Sequence, residues 1–227
     1  MMDVHSPEFL QDSQTAYFNP PYHNFRHGLE VRDAVLQITH NDTRSPLAFA
    51  ATLHDACHTW EARAPWDEKI AVKISQIMWR NYWLSQAFIN ESEIAIMWTV
   101  FNERANLILP NQKTIADADL SALWSKYEKY LLSATMLLLE THKQWVTDQE
   151  ILDFFRYQKT FFNSLTEISW TAESCYFTPE AREAFPHFAQ NKDQMSKQVE
   201  ENPDSLIDMV RRHEKLSLIQ SYRKEHS

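Results

Sequence analysis

Apolar positions recur at offsets of three and four along most of this chain, and prolines and small polar residues mark the breaks. Pro20 and Pro21 end an N-terminal segment, and Asn24 is placed to cap a helix of about 16 residues running on to His40. Along it Val31, Val35 and Ile38 keep helical spacing, with His27 one turn before Val31 on the same inward face. Ser45 and Pro46 read as a cap followed by proline at the first helical position. Leu47, Ala50, Ala51, His54 and His58 line one side of the helix begun there, which turns both histidines inward. After a loop at Arg63 to Trp66, the segment from Asp67 to Phe88 has Ile70, Ile74, Ile77 and Met78 at helical spacing. A helix from about Glu91 to Leu107 is expected to end at Pro110. From Asp117 onward, Leu120, Leu123, Trp124, Tyr127 and Leu131 predict another helix, with Asp119 at its start on the inner face. Helices over about 148–170 and 179–190 come next, the second capped by Thr178 and Pro179. No segment has a convincing strand period, so the pattern predicts an all-α fold.

Composition sharpens this picture through one residue type. Among 227 residues there is a single glycine, Gly28, where average usage of about 7% predicts roughly 16. Rossmann and P-loop nucleotide sites cannot be written with one glycine, because both need a backbone without Cβ against the phosphates. The length suits one domain with an ample core. From about Asn191 aromatics nearly vanish, so residues 1–190 read as the domain and 191–227 as a polar helical extension. Leu206, Met209, Val210, Leu216 and Ile219 give that extension an apolar stripe. It is expected to dock on the core, with a dimerisation arm, and hence a homo-oligomer, as the alternative.

The charges, 22 Lys and Arg against 31 Asp and Glu, sum to −9 with no basic run. A nucleic-acid polymer is therefore a poor partner, whereas a small phosphorylated molecule held through a metal is not. Only Cys57 and Cys175 occur, the start MMDVHSPEFL lacks the regions of a signal peptide, and no apolar run can span a bilayer. A cytoplasmic setting without a membrane partner is expected.

Four of the ten histidines, His23, His27, His54 and His58, fall within 36 positions, and none lies between His58 and His142. A lone inward histidine is usually a hydrogen-bonded core residue. Four of them with Asp55 and Asp119 on inward faces suit a divalent ion, which satisfies imidazoles and buried carboxylates together. Asp117 and Asp119 lie about 200° apart around a helix, so only one can face such an ion, and the apolar spacing favours Asp119. Asp117 then reads as a helix cap or a partner to a ligand imidazole. Glu61, Asp67 and Glu68 are further acidic candidates, the last two read as solvated helix-start carboxylates. Arg26, Arg156 and Lys159 are surface cations within the range of phosphate-binding roles.

The segment Tyr22-His23-Asn24-Phe25-Arg26-His27, followed by Val31, resembles the YHNxxHxxxV motif of the HD superfamily of metal-dependent phosphohydrolases. His54-Asp55 matches the dipeptide that names the superfamily. HDACH at 54 to 58 resembles the HDxxH of class I cyclic nucleotide phosphodiesterases, and Ala118-Asp119-Leu120-Ser121 their ADLS. The run Asp117 to Leu120 also resembles a group of bacterial predicted HD phosphohydrolases. The resemblance implies an HD-domain-like helical bundle with the metal site between helices, His27, His54, Asp55 and Asp119 as ligands, and Asp55 bridging to any second ion. It implies His23 as the acid for the leaving oxygen and His58 as a contact to phosphate or water.

The implied cofactor is a divalent ion, one or two of Mn, Fe, Ni, Zn, Co or Mg, and the implied substrate a small, nucleotide-like phosphate ester hydrolysed by metal-activated water. The superfamily's histidines between the HD pair and the last aspartate are missing here, which disfavours a di-iron oxygenase. A non-catalytic HD module binding a nucleotide or protein partner is the alternative, and a bundle whose histidines are core residues a third.

Overall fold

A computed structural model describes residues 3–59, 65–100, 107–142, 146–168 and 176–225. Among the described residues all regular structure is helical, and the fold is an all-α bundle. Twelve helices are described: α1 (Pro7–Thr15), α2 (Phe25–Ile38), α3 (Pro46–Leu53), α4 (Trp66–Asn81), α5 (Gln86–Met97), α6 (Pro110–Asp119), α7 (Ser121–Trp124), α8 (Tyr127–Thr141), α9 (Asp148–Ile168), α10 (Pro179–Ala184), α11 (Phe188–Glu201) and α12 (Pro203–Glu225).

The caps explain where the first helices start. Asn24 Oδ1 accepts from the His27 N–H at 3.2 Å while its amide donates to the carbonyls of Pro20 and Pro21, so α2 begins at Phe25 and His23 stays outside it. Ser45 Oγ accepts from the Ala48 N–H at 3.2 Å and Pro46 occupies the first turn of α3. Both helices end without glycine. His40 and Asn41 take φ of 56° and 69°, which stops α2 at Ile38 rather than His40. Cys57, at φ 61°, donates its N–H to the Ala16 carbonyl, which turns the chain after α3. His54, Asp55 and His58 therefore lie on a tight turn beyond Leu53, and not on a continuing helix.

Several expected boundaries change. Pro110 opens α6 instead of ending a helix, because a proline at the first position forfeits an N–H that would go unpaired anyway. The Gln112 side chain accepts from the N–H groups of Ile108 and Leu109 at this start. α5 runs from Gln86 to Met97, and residues 101–106 of the longer helix expected there lie outside the described residues. The stretch from Asp117 onward is divided among α6, α7 and α8, and Asp119 closes α6 rather than starting a helix. Residues 169–170 of the expected helix over 148–170 also lie outside the described residues.

α4 is shorter than the segment from Asp67 to Phe88 and does not bury the face that its isoleucines mark. Its buried residues are Asp67, Ala71, Ser75 and Trp79, whereas Ile70 and Ile77 are exposed and Ile74 and Met78 only partly covered. The helix stops at Asn81, Trp83 takes φ of 56°, and Ser85 caps α5.

The core gathers Val31 and Val35 of α2, Phe49 and Leu53 of α3, Trp79 of α4, Ile96 of α5, Ile115 of α6 and Tyr130 of α8. Phe155 and Phe162 of α9, Phe188 and Met195 of α11, and Leu206 and Val210 of α12 continue the same cluster. Asn191 donates to the carbonyls of Leu123 and Ser125 at 2.8 and 2.7 Å. The compositional change near residue 191 thus falls inside a helix whose two ends both pack on the core.

Gly28 sits where α2 crosses α3. A Cβ built there meets the Thr52 carbonyl oxygen at 2.7 Å and the Tyr17 hydroxyl at 2.6 Å, and these two groups are hydrogen-bonded to each other at 2.8 Å. The single glycine serves close helix approach, and the positive-φ positions of the described residues are filled by other residue types.

Candidate metal centre

Three elements converge on one point. α2 delivers His27 a turn inside its capped start, the turn after α3 delivers His54 and Asp55, and the last residue of α6 is Asp119. The contacts among them are short: His54 Nε2 lies 2.9 Å from Asp55 Oδ2 and 3.2 Å from Asp119 Oδ1. His27 Nε2 lies 3.4 Å and 3.6 Å from the same two oxygens. One donor atom from each of the four residues falls within 4.8 Å of every other. Two donors each about 2.1 Å from one ion, at angles between octahedral and tetrahedral, stand roughly 3.0 to 3.4 Å apart. The four side chains thus fit a divalent ion with little movement. His54 Nδ1 is 2.8 Å from the Ala51 carbonyl, which takes the N–H on that side and leaves Nε2 free to be a ligand.

The metal-free electrostatics reflect this crowding. Burial favours the neutral form of His54, but the Asp55 charge and the hydrogen bonds with Asp119 and Asp55 outweigh it and hold the imidazole protonated well above its usual range. Burial would likewise raise Asp55, yet His54 and His23 push it well below the ordinary carboxylate range. Asp119 is also lowered, burial being overcome by hydrogen bonds from His27 and His54. Protons on imidazole supply the positive charge that these carboxylates require.

A second group adjoins the first. The His23 ring stacks on His58 with centroids 4.0 Å apart and planes 19° apart, and His23 Nε2 is 3.9 Å from Asp55 Oδ2. Glu140, near the end of α8, takes the His23 N–H at 2.8 Å and stands 2.7 Å from His23 Nδ1, while also accepting from the Tyr22 N–H. No sequence pattern singles out Glu140. It lies about 200° around α8 from the buried Leu138, so no apolar period marks it. Its pKa is lowered, since the bonds from His23 outweigh burial. The two stacked imidazoles diverge: at His23 the Asp55 and Glu140 charges overcome burial and raise the pKa, whereas burial and the His23 charge lower that of His58. One ring is built to hold a proton beside one that does not.

Other candidates settle into different places. Asp117 is fully buried but points away from the cluster, accepting from the N–H groups of Phe177 and Thr178 and from the Thr178 hydroxyl at 2.8 to 3.2 Å. It braces Thr178, the residue that caps α10, and does not cap its own helix. Asp67, expected in solvent, is buried with Oδ2 3.6 Å from His58 Nδ1, because the inward face of α4 begins there. Glu68 is half-buried, and burial raises its pKa. Glu61 and Cys175 lie outside the described residues. Arg26, Arg156 and Lys159 are ion-paired with Glu30, Asp153 and Glu200 on the surface.

No family model, curated protein or solved structure matches the chain. The centre is therefore read from its own geometry. A cavity of about 300 Å³ lies beside it, lined by Tyr22 and His27 together with Met136 of α8 and His213 of α12; of the four clustered residues His27 alone lines it. No described helix is long and apolar enough to cross a membrane.

Proposed function

We propose that the chain is an HD-type metal-dependent phosphohydrolase that cleaves a phosphate ester of a small, nucleotide-like molecule. The observation that carries this reading is the convergence of His27, His54, Asp55 and Asp119 within ligand distance of one another, beside a separate proton-holding histidine. A divalent cation at such a centre supplies Lewis acidity toward water and offsets charge gathering on phosphoryl oxygens.

The rest belongs to the protein. Asp55 faces both histidine groups and holds the two halves of the site together. His23 carries its proton at Nε2 toward the leaving oxygen, and Glu140 on Nδ1 keeps the ring oriented and charged. His58, neutral and stacked on His23, accepts a hydrogen bond from water or a protonated phosphoryl group, with Asp67 orienting its Nδ1.

The test is elemental analysis of the purified chain, with a screen of cyclic nucleotides, nucleoside mono- and triphosphates and generic bis-esters under Mn²⁺, Mg²⁺, Ni²⁺, Zn²⁺, Co²⁺ and Fe²⁺. Hydrolysis abolished by Asp55→Ala, with His23→Ala slowing turnover at full metal content, supports the reading. Tight nucleotide binding without turnover in any metal points instead to a non-catalytic module. A melting temperature indifferent to every divalent ion removes the metal from the mechanism altogether.

A further inference from the structure

The exposed residues of α4 are Trp66, Lys69, Ile70, Lys73, Ile77, Arg80 and Asn81. At 100° per residue the first six fall within an arc of about 100°, one continuous face of large apolar and basic side chains. Trp66 and Ile77 are 59% and 63% exposed, and Trp83, in the turn after the helix, is 94% exposed. Both carboxylates of the helix are turned off this face: Asp67 is buried beside His58 and Glu68 is half-buried. Three cations without an intervening carboxylate stand out in a chain of net charge −9. Beyond the helix end, Asp12 is engaged by the Tyr82 hydroxyl.

Trp83 also carries a backbone cost. Its φ of 56° is unusual for a bulky side chain, and it keeps the indole in solvent, where it gains nothing from burial. The Lys69 ammonium lies 4.9 Å from the Trp66 ring centroid, so cation and indole already share one surface.

We infer that this face docks on an anionic phospholipid surface. Indole and isoleucine enter the headgroup boundary while Lys and Arg stems extend along the apolar surface to lipid phosphates. A second copy of the chain is a poorer occupant, since a two-fold contact sets the cationic face carrying Lys69, Lys73 and Arg80 against an identical cationic face. The buried side of α4 approaches the histidine groups through Asp67, whose Oδ2 is 3.6 Å from His58 Nδ1, so docking through the exposed face leaves that contact intact. The inference is independent of any reaction at the cluster.

The experiment is co-sedimentation of the full chain with phosphatidylcholine vesicles with and without phosphatidylserine, at physiological and high ionic strength. Binding is expected only to the phosphatidylserine vesicles and is expected to weaken with salt. Removing all three cations (Lys69→Gln, Lys73→Gln, Arg80→Gln) should reduce affinity on the order of 100-fold, at about fivefold per cation. Trp83→Asn, which suits a positive φ, should reduce it about tenfold. These residues are exposed, so neither variant should melt below the parent. No binding to anionic vesicles, or equal binding by parent and variants, overturns the inference. RNA binding lost in the triple variant, or self-association lost in Trp83→Asn, without vesicle binding, also overturns it and assigns the face to a polyanion or a second copy.

Discussion

α2 and α4 carry equally regular apolar periods, yet they bury them in opposite senses. In α2 the periodic residues Val31, Val35 and Ile38 enter the core in register with His27. In α4 the isoleucines at 70 and 77 face solvent, and a carboxylate, an alanine, a serine and a tryptophan face inward. A helical period identifies a face but not what that face meets. The small Ala71 and Ser75 permit close approach, Trp79 fills the core, and Asp67 meets His58, so the inward direction of α4 is set by the elements it packs on and not by its own apolar period.

The largest expected break in this comparison is in stability. Ile38→Ala should destabilise the fold by about 2–5 kcal/mol through the cavity it leaves, read as a shift in denaturant midpoint at constant slope. Gly28→Ala should cost about 1–3 kcal/mol by overpacking against the Thr52 carbonyl, although alanine is the better helix former by up to about 1 kcal/mol. A stabilised Gly28→Ala protein would mean that α2 and α3 are not in such close contact.

Proton competition sharpens the contrast on the side of the His/Asp cluster. Metal-free His54 is held protonated above its usual range, and a ligand imidazole must be neutral. Affinity for a divalent ion should therefore rise about tenfold per pH unit while that proton is being displaced, then level off once it is gone. Titration calorimetry at several pH values, in buffers of different ionisation enthalpy, reads both the affinity and the proton release. The smallest effect is predicted for Ile77→Ala, within about 0.5 kcal/mol in the same denaturation experiment that detects Ile38→Ala. A loss comparable to that of Ile38 would show that the isoleucine stripe of α4 is covered after all.

What was legible in the sequence divides along similar lines. The all-helical class, the Asn24 and Ser45 caps and the inward placing of His27 are written in local spacing, whereas His54, Asp55 and Asp119 meet His27 from C-terminal helix ends that no cap or proline marks. Glu140 was not legible, because it reaches His23 across 117 residues and breaks the apolar period of its own helix. Asp117 was half legible. Its rotation away from Asp119 is dictated by helical geometry, but its partners at 177 and 178 are a tertiary fact. The helix stops at His40 and Cys57 were hidden because left-handed turns are here made by residues other than glycine.

Everything proposed for the site depends on whether these four side chains hold an ion. Elemental analysis of the chain and of Asp119→Asn, after equilibration with Mn²⁺, Zn²⁺ and Ni²⁺ and extensive dialysis, decides it. A stoichiometric ion is expected in the parent and a large loss in the variant, with both proteins folded by circular dichroism. A parent that retains no ion, or a variant that retains as much as the parent, would contradict the assignment of these residues as ligands.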